Sequence, residues 1–61
     1  MLLYNENNYA LEYCEDDIIY FAVFNRVEDE DIHIFESLYQ AVDKLEEVTG
    51  EKNLSLKIPI N

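Results

Sequence analysis

An amphipathic helix is written into the stretch from Ser37 to Gly50, SLYQAVDKLEEVTG, and the rest of the chain has to cover its apolar stripe. Leu38, Ala41, Val42, Leu45 and Val48 recur at helical spacing. At about 100° per residue they fill an arc of roughly 120°, the width of a core-facing stripe. Tyr39, Gln40, Asp43, Lys44, Glu46 and Glu47 take the other sides. Ser37 and Gln40 fit the S-x-x-Q capping box, which predicts side-chain partners for the first free amides. Gly50, the only glycine, stands where a helix C-terminus calls for left-handed backbone.

The strands are read from alternation and punctuation. Met1–Tyr4 is a candidate edge strand, followed by the polar turn Asn5–Asn8. Tyr9–Cys14 alternates, Glu15-Asp16-Asp17 turns the chain, and Ile18–Phe24 (IIYFAVF) reads as a central strand apolar on both faces. Ile32–Phe35 alternates and leads into the helix, and Leu54–Ile60 alternates again, with Leu54, Leu56, Ile58 and Ile60 inward. Pro59 cannot donate to a ladder, so that last strand ends there or lies on an edge. The expected fold is a single α+β domain over residues 1–61. It has an antiparallel sheet of four to five strands, order β-β-β-β-α-β, with one helix packed on one face.

A two-residue or a four-residue loop between the second and third strands gives the same register: Cys14 opposite Asp17, Tyr13 opposite Ile18, Leu11 opposite Tyr20. Tyr9, Leu11, Tyr13, Ile18, Tyr20 and Ala22 then share one face, and Ala10, Glu12, Ile19, Phe21 and Val23 share the other. The expected covered face has Ile19, Phe21, Val23, Ile32 and Ile34 against the helix. Tyr9, Leu11, Tyr13, Ile18, Tyr20 and Phe24 stay uncovered, a tyrosine-rich apolar patch of the kind that marks an interface. The plainer alternative is that these tyrosines are half-buried with their hydroxyls wet.

Size and charge bound the rest. The chain has 61 residues, fourteen acids, four bases and a net charge of −10. A chain of this length buries only ~60% of its unfolded surface and usually relies on a staple, a dense core or association. One cysteine, Cys14, excludes an internal disulfide. The charge is lopsided: residues 1–36 carry ten acids and one base, Arg26. Binding to bare nucleic acid or to an anionic membrane is disfavoured, since both demand Lys and Arg. A basic partner is favoured, while the plainer reading is that the acids only confer solubility. The chain begins with no basic n-region and no long apolar run, and no segment approaches ~20 apolar residues. With its lone cysteine, that points to the cytoplasm of its cell or host.

The acidic runs Glu15-Asp16-Asp17 and Glu28-Asp29-Glu30-Asp31 flank the central strand at opposite ends, and Glu12 and Glu6 add to them. Carboxylates two apart on a strand lie ~6.7 Å apart, a separation comparable to charge spacing along nucleic acid. In composition the chain resembles the small acidic nucleic-acid mimics, many of them from phages, with no motif that aligns. That resemblance implies a viral inhibitor of anti-CRISPR or anti-polymerase type; ordinary solvated loops are the competing account. The residues 28–36, EDEDIHIFE, lack the calcium-loop frame and its central glycine, and no spacing pairs Cys14 or His33 into a nucleophile–base set. No metal, no cofactor and no catalysis are expected. His33 reads as solvent-facing or beside the acidic loop, Cys14 as a small hydrophobe whose thiol is pushed up by nearby acids, and Arg26 as a clamp on Glu28 or Asp29.

The expected function is therefore non-catalytic binding to the basic surface of a host nucleic-acid-binding protein. Glu12, Glu15, Asp16, Asp17, Glu28, Asp29, Glu30 and Asp31 steer and neutralise, and Tyr9, Tyr13 and Tyr20 supply the desolvated anchor. The alternative is a small structural module, a homodimer through the tyrosine-rich sheet face or an accessory subunit, whose acidity only solubilises it.

Overall fold

The computed structural model describes residues 1–28 and 32–58. Four strands form one antiparallel sheet in the order of the chain: β1 (Leu2–Glu6), β2 (Tyr9–Glu15), β3 (Ile19–Asn25) and β4 (Ile32–Phe35). Helix α1 (Leu38–Thr49) follows and lies over β2, β3 and β4. The result is a plate of 31 × 27 × 16 Å, one sheet and one helix thick. The expected α+β architecture, a four-strand antiparallel sheet with a single helix on one face, is what is observed.

The helix buries the stripe its spacing predicts. Ala41, Val42 and Leu45 are buried, and Leu38 and Val48 pack partly buried beside them. Gly50 adopts φ 76°, and its N–H donates to the Glu46 carbonyl at 2.9 Å. The N-terminus departs from expectation. Ser37 is the N-cap through its backbone, its carbonyl accepting from Ala41 N at 3.1 Å, but its side chain makes no capping bond. The expected capping box is absent, and tertiary packing rather than local capping holds this end.

The hairpin register is not the expected one. The loop between β2 and β3 is three residues, Asp16 to Ile18, and Glu15 pairs with Ile19. Cys14 faces Tyr20, Tyr13 faces Phe21 and Leu11 faces Val23. This is a shift of three residues, and an odd shift moves every side chain of one strand to the other face. The energetic reason lies in Glu12. In the expected register Glu12 sits beneath the helix, where a carboxylate without a cation costs several kcal/mol. In the observed register Glu12 is on the bare face, and Leu11 and Val23, both fully buried, occupy the covered one.

Two further corrections follow from the same parity. Tyr9, Leu11 and Tyr13 lie on the covered face, with Tyr13 and Phe21 in edge contact at 5.7 Å between ring centroids. Ile32 and Ile34, expected beneath the helix, are on the bare face and more than half exposed, while His33 and Phe35 take the covered side. His33 is half-buried opposite Val23. On the outer edge, β1 pairs with β2 through Tyr4↔Leu11 and Glu6↔Tyr9, with an irregularity between Leu2 and Tyr4.

Among the described residues the expected last strand does not form. After Gly50 the chain turns through Asn53, at φ 59°, into a 3-10 turn over Leu54–Leu56. Leu54 and Ile58 are buried, and Leu56 is 85% exposed, so Leu56 is not inward. Alternating Leu54-Leu56-Ile58 also places 54 and 58 on one side of a helical turn, since residues four apart share a face there. The core prefers that solution: Leu54 and Ile58 close it against Leu45 and Val42. Pro59 and Ile60 lie outside the described residues.

Candidate protein-binding face

One broad side of the plate is roofed by α1, and no described helix packs over the other, called the bare side. The bare side carries Cys14 opposite Tyr20, Glu12 opposite Ala22, and Ala10 opposite Phe24, with Ile34 and Ile32 extending the last two rows onto β4. Ala10 and Ala22 on this side are buried, at 1% and 8% exposure. Ile32 and Ile34 stand out at 55% and 56% exposure. Leu2, paired with Glu12, adds an exposed apolar edge on β1.

Among the described strand positions on this side, Glu12 is the single charge. The Cys14 thiol lies 3.4 Å from Glu12 Oε1 and donates to it. Burial pushes the Cys14 thiol up from its ordinary value, and the Glu12 acceptor adds to that by holding the proton on sulfur. The Tyr20 phenol is raised chiefly by its contact with the Cys14 sulfur. Cys14 is thus a protonated, weakly polar member of an apolar surface at neutral pH.

The sequence-derived site residues are not brought together. Glu15, Asp16 and Asp17 are exposed at the hairpin end of β3, and Glu28 is exposed past its other end. A seven-residue strand separates these ends by about 20 Å. Asn25 shapes the start of the second run, its Oδ1 accepting from Val27 N at 2.8 Å and Glu28 N at 3.0 Å. Asp29, Glu30 and Asp31 lie outside the described residues. Tyr20 is on the bare face, whereas Tyr9 and Tyr13 are on the helix side, where the Tyr13 hydroxyl donates to Glu15 Oε2 at 3.1 Å and its pKa is raised mainly by that bond. The bare side therefore carries one tyrosine, Tyr20, rather than three. Arg26 reaches across to β1, its guanidinium on Asn5 Oδ1.

Sequence reading missed Ala10, Ile32 and Ile34 as residues of this face. Their signal was the alternation itself, which fixes two sets of residues but not which set the helix covers. Among the described residues no cluster of His, Cys, Asp or Glu is arranged to hold a metal ion, and no helix is long and apolar enough to cross a membrane. Comparison with protein families, with known proteins and with solved structures finds no match to this chain.

Proposed function

We propose that this chain is a non-catalytic acidic inhibitor that binds the basic surface of a nucleic-acid-binding protein in the cytoplasm, of the kind phages direct against host defence nucleases or polymerases. The observation that supports this reading is a net charge of −10 on 61 residues, with carboxylates exposed at both ends of the central strand. Such a surface raises the encounter rate with a cationic groove and repels nucleic acid itself. Glu15, Asp16, Asp17 and Glu28 make the neutralising contacts, with the run continuing through Asp29, Glu30 and Asp31.

The test is capture of partners from lysate at low salt, followed by titration of the complex with NaCl. Affinity falls steeply as ionic strength rises, because exposed charges are screened beyond a Debye length of about 10 Å at 0.1 M salt. Replacing Glu15, Asp16 and Asp17 together by Asn and Gln weakens capture and flattens the salt slope. An affinity that is the same at low and high salt sinks the electrostatic account.

A further inference from the structure

We draw no further inference here: the strongest candidate, the side of the sheet away from α1, where Ile32 and Ile34 on β4 stand more than half exposed, belongs to the face already described, and nothing in the structure shows what covers it.

Discussion

The hydroxyl of Tyr4 donates to Glu51 Oε2 at 3.0 Å, tying the first strand to the segment just after the helix, 47 residues away. Asn7 completes the set: its Nδ2 donates to Glu51 Oε1 at 2.7 Å and to the Tyr4 oxygen at 3.3 Å. Tyr4 is otherwise buried in the core, at 6% exposure, beside Leu11, Leu54 and Ile58. This polar knot satisfies a phenol that the hydrophobic core has taken out of water.

Burial is the main reason the Tyr4 phenol lies above its ordinary value of 10.0, with the Glu51 bond and charge also raising it and Asn7 lowering it. A raised folded-state value means the neutral phenol is favoured by folding. Its contribution is full below about pH 10 and is lost as pH climbs through the folded-state value. Urea unfolding of the wild type therefore shows a stability decline above about pH 10 that is smaller in Tyr4→Phe. At pH 7 the same substitution costs about 0.5–1.5 kcal/mol for the lost hydrogen bond. Parallel alkaline curves for the two proteins would contradict the assignment.

Leu54 and Leu56 separate the 3-10 turn from a strand. Leu54→Ala removes a fully buried side chain and destabilises by about 2–5 kcal/mol. Leu56→Ala, at an 85% exposed position, stays within about 0.5 kcal/mol. Equal losses in chemical unfolding would mean that both side chains are inward, as in a strand.

Gly50 is held at φ 76°, and a methyl group built there meets nothing within 4 Å. The cost of Gly50→Ala is thus backbone strain alone, about 1 kcal/mol. Gly50→Asn costs less, since Asn visits left-handed backbone more readily. The ranking Gly, Asn, Ala in unfolding midpoints is the check.

The covered and bare faces respond oppositely to charge. Val23→Glu places a carboxylate under the helix, beside Leu45 and Leu11, and abolishes cooperative folding. Ile34→Glu, at an exposed position on the bare face, leaves the chain folded. The near-ultraviolet spectrum and heteronuclear NMR dispersion report this directly, and an unfolded Ile34→Glu would reverse the assignment of faces.

Much of this molecule was legible from residue types. The helix and its stripe were fixed by 3.6-residue spacing at Leu38, Ala41, Val42, Leu45 and Val48, and its end by Gly50. The four strands fell within a residue or two of their sequence-derived positions, because β-branched and aromatic runs were punctuated by Asn and acid clusters. The acidity of the first 36 residues needed no structure at all.

Which side of the sheet lies under the helix was decided only in three dimensions. Ile19–Phe24 is apolar at every position, so period-two reading is silent about which set turns inward. A three-residue loop and two- or four-residue loops are equally compatible with Glu15-Asp16-Asp17, yet odd and even lengths send opposite faces to the core. The choice came from a non-local cost: one register buries Glu12 and the other buries Leu11 with Val23. The tail was settled the same way, since Leu54, Leu56 and Ile58 satisfy either a strand or a turn. The unfilled end of the core between Tyr4 and Leu45 takes Leu54 and Ile58 together, which only the turn can deliver.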